Sequence, residues 1–164
     1  MSGDGADDGG TYTLIVDLTT PAAVEVGALG DRRFEPGVYA YTGSALGAGG
    51  FSRVDRHRRT ARGAHDVRHW HVDYLLGHSG VRIDAVVRSA GVDVECAVAE
   101  RLPAGPVSGF GASDCGCPTH LAAAEGESLD AFTDRVREAH EAAVASLDVG
   151  TDGGGPRVDV VAGE

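Results

Sequence analysis

Apolar and polar residues alternate along the first third of the chain with the two-residue period of a β-strand. From Gly10 to Leu18 the alternation predicts a strand with one well buried face, which Pro21 ends. Residues 24–34 predict a second strand and a hairpin around Gly30, and residues 38–42 predict a further strand. Residues 81–87 alternate in the same way, so the expected sheet has strands from two separate parts of the chain.

Helical periodicity governs most of the remaining sequence. It predicts helices over 51–62, over about 70–78, over 93–102 with Asp93 as a cap and Pro103 as a stop, and over 128–147. Between the last two helices, residues 107–120 are rich in Gly and Ser and predict an irregular loop. Strands followed by helices, with one more strand among them, indicate an α+β class with a small, largely antiparallel sheet flanked by helices and an extra N-terminal hairpin.

The chain length suits a single domain, because 164 residues with 42% apolar content bury one core and leave little for a second. The expected organisation is a disordered acidic N-terminus over 1–9, the main domain over 10–121, an amphipathic helix within 122–148 and a disordered tail over 149–164. No apolar run suits a bilayer, no secretion signal is visible, and three cysteines form no even disulfide set. We therefore expect a cytoplasmic protein that does not enter membranes.

The charge of the chain is strongly negative overall but positive in one segment. The formal net charge is −11, and all 14 basic residues are arginine. A bulk acidic charge argues against nucleic acid, but an acidic, lysine-free composition is also typical of halophilic proteins, in which salt screens distant charges. Between Arg53 and His71 stand six arginines and four histidines against two aspartates. This basic patch is either a nucleic-acid surface or a solvated helix face that pairs with the acidic surface.

Four short motifs stand in a recognisable order along the chain. They are Gly10-Thr11-Tyr12 in the first strand, Tyr41-Thr42-Gly43 in a later strand, Arg53 with His57 on one helical face, and Glu95 on a later helix. This order resembles the GIY-YIG nuclease superfamily. The chain is most similar to small stand-alone prokaryotic members of uncharacterised role, through the blocks "GVYAYTGSALG", "RVDRHRR", "HWHVDYLL", "ECAVAERL" and "GFGASDCGCPTHL" over about residues 10–121.

The resemblance implies a Mg²⁺-dependent endonuclease that hydrolyses phosphodiester bonds in DNA. Tyr12 or Tyr41 would be the general base for the attacking water, and a cation must favour its phenolate because an ordinary tyrosine titrates near 10. Arg53 would supply that cation and stabilise the charge that builds on the phosphate. Glu95 would hold the Mg²⁺ ion, and His57 would relay a proton or contact a phosphate.

Some assignments stay open within this resemblance. Glu100 competes with Glu95 for the metal, and Glu95 is preferred because it lies at the edge of the buried stripe of its helix. The residues expected to contact nucleic acid, DNA or RNA, are Gly43, Ser44, Arg56, Arg58 and Arg59. No separate DNA-binding domain is visible, so either a partner protein supplies specificity or specificity is low. The sequence does not indicate an oligomeric state.

Two other functions compete with the nuclease. One is a non-catalytic nucleic-acid-binding module of the same fold. The other is a metal- or nucleotide-dependent regulator that uses the loop from Cys115 to His120. A zinc site at Cys115, Cys117 and His120 is disfavoured, because three ligands are crowded and the fourth is not evident; buried cysteines in a folded loop are preferred.

Overall fold

The computed structural model of the protein describes residues 9–25, 30–44, 76, 80–90, 92–102, 119–124, 126–146 and 158–162. Seven strands and two helices lie in these ranges. They are, in chain order, β1 (Gly10–Leu18), β2 (Ala22–Glu25), β3 (Asp31–Phe34), β4 (Gly37–Ser44), β5 (Val81–Ala90), α1 (Glu95–Glu100), β6 (Leu121–Ala123), α2 (Leu129–Ala145) and β7 (Val158–Ala162).

Five of the strands form one antiparallel sheet with the order β6-β4-β1-β5-β7. Strands β2 and β3 pair with each other as a separate two-stranded sheet. The expected α+β class is therefore confirmed, and so is the extra hairpin between the first strand and the strand of the second tyrosine motif. The predicted helices at 51–62 and 70–78 lie outside the described residues, except for Leu76, which is helical and buried.

The central strand β1 is buried on both faces, rather than on one as its alternation predicts. Its even-numbered apolar side chains enter a first core with residues of β4 and β5, and Ile15 enters a second core with α1 and α2. Thr11 and Thr13 point to the side of the second core and are fully buried. Hydrogen bonds satisfy both buried hydroxyl groups there. The Thr11 hydroxyl donates to the Val92 carbonyl at 2.9 Å and accepts from the Val94 backbone N–H at 2.8 Å.

A β-bulge in the pairing of β1 with β5 changes which residues of β5 face each core. Val16 pairs with Ile83 whereas Ile15 pairs with Ala85, so the register shifts by one residue at this point. As a result, Val86 joins Ile83 in the first core, although an uninterrupted alternation would place them on opposite faces. The strand also continues to Ala90, beyond the predicted end at residue 87.

Two helices cover the second core, and the longer of them agrees closely with its prediction. Helix α2 begins after Ser128, whose hydroxyl accepts from the Ala131 N–H at 3.1 Å, and it buries Phe132, Val136, Ala139, His140 and Ala143. Helix α1 is shorter than predicted, and Asp93 is not its cap: Val94 occupies that position, and Thr11 satisfies the Val94 N–H instead. In the described part of the chain, no helix has the length and the apolar content needed to cross a membrane.

The end of the chain differs from its prediction. Residues 158–162 form β7 at one edge of the sheet, paired with β5, so the expectation of a disordered tail is wrong for these five residues. Valine favours strands, and Val158 and Val161 pack against the two cores. At the opposite edge, the three residues of β6 form a strand that the sequence pattern does not predict, because so short a segment has no measurable period.

Candidate functional site

The two tyrosines of the sequence motifs lie side by side on one face of the sheet. Tyr12 on β1 pairs with Gly43 on β4, and Leu14 pairs with Tyr41, so the tyrosines are diagonal neighbours across the two strands. Their ring centroids are 6.4 Å apart with the ring planes tilted by 54°. We call the part of the sheet surface that carries Tyr12, Tyr41 and Gly43 the tyrosine face. Both rings are almost fully buried, with 2% and 5% of their surface exposed.

Gly43 is required by the ring of Tyr12 and not by its own backbone. It does not have a positive φ, so an L-residue would be tolerated by the backbone. A Cβ atom at position 43, however, would lie 2.7 Å from the Tyr12 Oη, 2.8 Å from its Cζ and 3.1 Å from the Tyr41 Cε2. The tyrosine of the first motif therefore rests on the glycine of the second, and the two motifs form one packing unit.

Tyr39 shares the strand of Tyr41 but has a different role. Its hydroxyl donates a hydrogen bond of 2.6 Å to the Glu35 carbonyl, and its ring packs edge-on against Phe34 with centroids 5.9 Å apart. Burial raises the pKa of Tyr39, and the charge of Glu35 raises it further, against the smaller opposite effect of the hydrogen bond. Tyr39 is thus held as a neutral phenol that stabilises the turn before β4.

Glu95, the predicted Mg²⁺ ligand, lies beside His120 and Cys96. The Glu95 Oε2 is 3.3 Å from the His120 Nδ1, a distance for electrostatic contact rather than an aligned hydrogen bond. On its other side, the His120 Nε2 is 3.9 Å from the Cys96 Sγ. The imidazole is buried, with 2% of its side chain exposed, whereas 25% of the Glu95 side chain remains exposed.

This carboxylate and the tyrosine rings are on opposite faces of the sheet. Leu121 pairs with Tyr41 and enters the first core, while Ala122 enters the second, so His120 faces the side covered by α1 and α2. We call this side the helix face. Within the described ranges, the Glu95 carboxylate makes its electrostatic contact with His120 and not with the tyrosines. The residues described here therefore do not fit a magnesium ion held between Glu95 and the tyrosine pair.

A cavity of about 260 Å³ opens on the helix face beside His120. Its polar lining comes from the Thr42 and Thr119 side chains, from His120 and from Glu100. Glu100, the alternative considered for the metal position, therefore lines a cavity that Glu95 does not line. The backbone holds this region firmly, since the Thr42 N–H donates to the His120 carbonyl at 3.0 Å.

A buried polar network lies under the same face and connects it to α2. The ring nitrogens of His140 are each 2.7 Å from a hydroxyl oxygen, Nε2 from Thr13 and Nδ1 from Ser89, and Thr13 also contacts the Thr42 hydroxyl at 2.9 Å. All four side chains are fully buried, and this burial lowers the pKa of His140 to about 4. The neutral imidazole joins β1, β4, β5 and α2 through satisfied hydrogen bonds.

A family model described as "Domain of unknown function DUF123" matches residues 11–144. The chain belongs to this family. No curated protein and no solved structure matches the chain. The DUF123 match covers both tyrosines, Glu95, His120 and His140, and it ends within α2, before β7 begins.

Part of the predicted site can be located in the DUF123 structure. The described residues bring Tyr12, Tyr41 and Gly43 together, place Ser44 at the end of β4 opposite Thr11, and separate Glu95 from the tyrosine face. The remaining predicted residues lie outside the described residues: Arg53, Arg56, His57, Arg58, Arg59, Cys115 and Cys117. The five-residue catalytic site therefore stays a prediction.

One residue on the tyrosine face of this DUF123 chain was not predicted from its sequence. Arg88 on β5 pairs with Tyr12, so the two side chains project from the same face of the sheet as direct neighbours. Arg88 is partly buried there. The bulge in β5 produces this placement, and its only signal in the sequence is the run Ala85-Val86-Val87, which interrupts the alternation of the strand.

Proposed function

We propose that this DUF123 chain is a GIY-YIG-type endonuclease that hydrolyses phosphodiester bonds in DNA, with its site on the tyrosine face. The observation that supports the proposal is the contact of Tyr12 with Gly43 beside Tyr41. Tyr12 belongs to the first motif, and Tyr41 and Gly43 belong to the second. A side chain at position 43 would collide with the Tyr12 ring, so the tyrosine of one motif depends on the glycine of the other. Their close packing accounts for the tyrosine in one strand and the glycine in the other.

Arginine and tyrosine have complementary roles in such a reaction. Arg88, next to Tyr12, is proposed to bind a non-bridging phosphate oxygen and to stabilise the negative charge that builds there during in-line attack. Tyr12 or Tyr41 is proposed to accept the proton of the attacking water. Arg53 and His57 keep the roles that the resemblance implies for them, favouring the phenolate and relaying a proton.

Magnesium remains part of the proposal only as the expected cofactor. The resemblance assigns it to Glu95, but the contact of Glu95 with His120 on the helix face supports a different role for that carboxylate. No step of the proposed reaction is therefore derived through the metal. The proposed setting is the cytoplasm of a cell with a high salt content, with DNA as the substrate and a partner protein as a source of specificity.

The test is cleavage of labelled single-stranded, duplex, flapped and junction DNAs in high-salt buffer with Mg²⁺. We expect Tyr12→Phe and Tyr41→Phe to lower the cleavage rate about 10²- to 10⁴-fold, the usual contribution of a general base, if each positions or performs the proton transfer. Tyr39→Phe is the matched control, because its hydroxyl is engaged by a backbone carbonyl. Arg88→Ala should lower the rate about 10²- to 10³-fold, whereas Arg82→Ala, at an exposed position of the same strand, should not.

If the wild-type chain cleaves DNA and the Tyr12, Tyr41 and Arg88 variants cleave it at the same rate, the assignment of the site is refuted.

A second candidate function is a nucleic-acid-binding module of the same fold without catalysis. The position of Glu95 away from the tyrosine face favours it. That function predicts DNA binding that Arg88→Ala weakens, together with no Mg²⁺-dependent cleavage of any of the substrates.

A further inference from the structure

The buried network of Thr13, Thr42, Ser89 and His140 contains one more hydrogen-bond donor than its own contacts use. Each hydroxyl group carries one hydrogen, and the imidazole carries one because burial lowers its pKa to about 4 and keeps it neutral near pH 7. These four hydrogens serve three contacts, Ser89 with Nδ1, Thr13 with Nε2, and Thr13 with Thr42. One hydroxyl hydrogen therefore has no acceptor inside the network.

The tautomer of His140 decides which hydroxyl group keeps this hydrogen. If Nδ1 carries the ring proton, it donates to Ser89, and the Ser89 hydrogen stays in a fully buried position. Within the described part of the chain, that hydroxyl contacts only His140, so this tautomer leaves a buried donor unsatisfied, which is unfavourable. If Nε2 carries the proton, Ser89 donates to Nδ1, Nε2 donates to Thr13, and Thr13 donates to Thr42. The remaining hydrogen then lies on Thr42.

Thr42 differs from the other two hydroxyl residues because it lines the cavity on the helix face. A molecule in the cavity is able to accept its hydrogen, so the Nε2–H tautomer satisfies every donor of the network. Thr119 brings a second donor to the same cavity, since its oxygen accepts the Leu121 N–H at 3.1 Å and its hydrogen is left for another acceptor. Thr42 and Thr119 are 0% and 6% exposed, so bulk water does not supply these acceptors.

The rest of the cavity lining sets two further requirements on a ligand. Glu100 is an exposed residue that also lines the cavity, and its carboxylate accepts hydrogen bonds from N–H groups. The volume of about 260 Å³ is slightly below the range of about 300–1,000 Å³ for drug-sized ligands, so a smaller molecule fits. A flat apolar ring suits the remaining lining, which consists of Ala99, Leu102, Leu121 and Ala122 beside His120.

We propose that this cavity binds a small neutral lactam ring, and that guanine is the nucleobase it accepts. A lactam places a carbonyl acceptor next to a ring N–H donor, which matches hydroxyl donors on one side and a carboxylate on the other. In guanine the carbonyl oxygen and N7 are adjacent acceptors for Thr42 and Thr119. The ring N–H and the amino group are adjacent donors, which a carboxylate such as Glu100 accepts together.

Charge selects a free base or nucleoside over charged molecules of similar size. A phosphate group near Glu100 would be repelled by the carboxylate, so a nucleotide is disfavoured. A free amino acid would bring two full charges to hydroxyl groups and apolar carbon, and the burial of such charges costs more than the burial of a neutral amide. The ligand is therefore neutral and carries both donors and acceptors on its ring.

The proposed cavity site is separate from the proposed nuclease site. It lies on the helix face, whereas the nuclease proposal uses the tyrosine face. Thr42 stands between Tyr41 and Gly43 in the second motif, and its side chain points to the opposite side from theirs. A role in ligand binding thus accounts for the middle residue of that motif independently of cleavage.

The experiment measures binding of guanosine to the full chain by titration calorimetry. We expect saturable binding of about one guanosine per chain, and weaker binding of inosine by about tenfold, because inosine lacks the amino group that donates to Glu100. Adenosine, which lacks the ring N–H and the carbonyl group, should bind more weakly still. Guanosine monophosphate should bind more weakly than guanosine because of its charge.

Substitutions in the cavity test the assigned contacts. Glu100→Gln should lower the affinity for guanosine about 10- to 100-fold and reduce the preference for guanosine over inosine. Glu138→Gln, at an exposed position of α2, is the matched control and should leave the affinity unchanged. Thr42→Val should lower the affinity about 2- to 10-fold, whereas Thr42→Ser keeps the hydroxyl group and should restore it.

A second measurement does not depend on the ligand or on variants that fold poorly. Nitrogen–proton correlation spectra of the wild-type imidazole rings should show His140 as the Nε2–H tautomer, assigned through its backbone resonances. The Nδ1–H tautomer would overturn the donor assigned to Thr42. Absence of saturable guanosine binding near its solubility limit would overturn the ligand, and so would stronger binding of a free amino acid or an unchanged guanosine affinity in Glu100→Gln and Thr42→Val.

Discussion

The contact between Gly43 and Tyr12 makes a direct prediction about the substitution Gly43→Ala. The added Cβ would lie 2.7 Å from the Tyr12 Oη and 2.8 Å from its Cζ, closer than Cβ atoms approach non-bonded heavy atoms in proteins. It would also lie 3.1 Å from the Tyr41 Cε2. Because both rings are buried within the first core, neither is able to move aside without disturbing its other contacts.

The size of the effect follows from two opposing contributions. Inserting a methyl group into a well-packed core typically costs about 1–3 kcal/mol. Replacing glycine by alanine also restricts the unfolded chain, which stabilises the protein by about 0.4–1 kcal/mol where the backbone permits it, as at this position. The expected net loss is roughly 1–2 kcal/mol, which for a chain of this size lowers the Tm by about 2–8 °C.

The assay is thermal and urea denaturation of a double-mutant cycle. Tyr12→Leu removes the ring that the new methyl group meets, so we expect Gly43→Ala to cost much less in the Tyr12→Leu background than in the wild type. A coupling free energy between the two substitutions of about 0.5–2 kcal/mol would agree with a direct steric contact. If Gly43→Ala destabilises both backgrounds equally, or neither, the glycine is not required by the tyrosine, and the link between the motifs is refuted.

Three further predictions concern other parts of the fold. The pKa of His140 is lowered to about 4 from an unfolded value near 6.5, so the unfolded state binds the proton more readily. The free energy of unfolding should therefore fall by roughly 3 kcal/mol as the pH falls from 6.5 to 4. Urea denaturation between about pH 7 and 5, above the range of most carboxylates, would show this slope, and a flat profile would contradict it. Tyr39→Phe removes the hydrogen bond to the Glu35 carbonyl and should cost about 1 kcal/mol by urea denaturation, with DNA cleavage retained. Ser128→Ala removes the N-cap of α2 and should cost about 1 kcal/mol, with Ser128→Asn as the control that restores the cap; equal stability of all three chains would exclude a capping role.

Much of the fold was predictable because local patterns carry it. The patterns along residues 10–18 and 38–42 predict two strands, and the apolar stripe after Ser128 predicts α2, because each pattern repeats over enough residues to be measured. The hairpin of β2 and β3 is marked by Gly30, whose φ of 77° suits a turn. The segments that escaped prediction, β6 and β7, have three and five residues, and tertiary pairing fixes them as strands.

One part of the candidate site follows from local sequence patterns, and another part follows only from the tertiary structure. The sequence by itself determined that the two tyrosines and the glycine stand on strands, because strand period and motif order are local properties. The tertiary structure decided that these two strands are neighbours. Only the tertiary structure decided that Arg88 stands beside Tyr12, since a bulge shifts the register of β5 by one residue. Only the tertiary structure brought Cys96 to His120, 24 residues later in the chain, and placed Glu95 on the helix face. The physical reason is that side-chain direction alternates along a strand, whereas contacts between distant segments depend on how the strands pair.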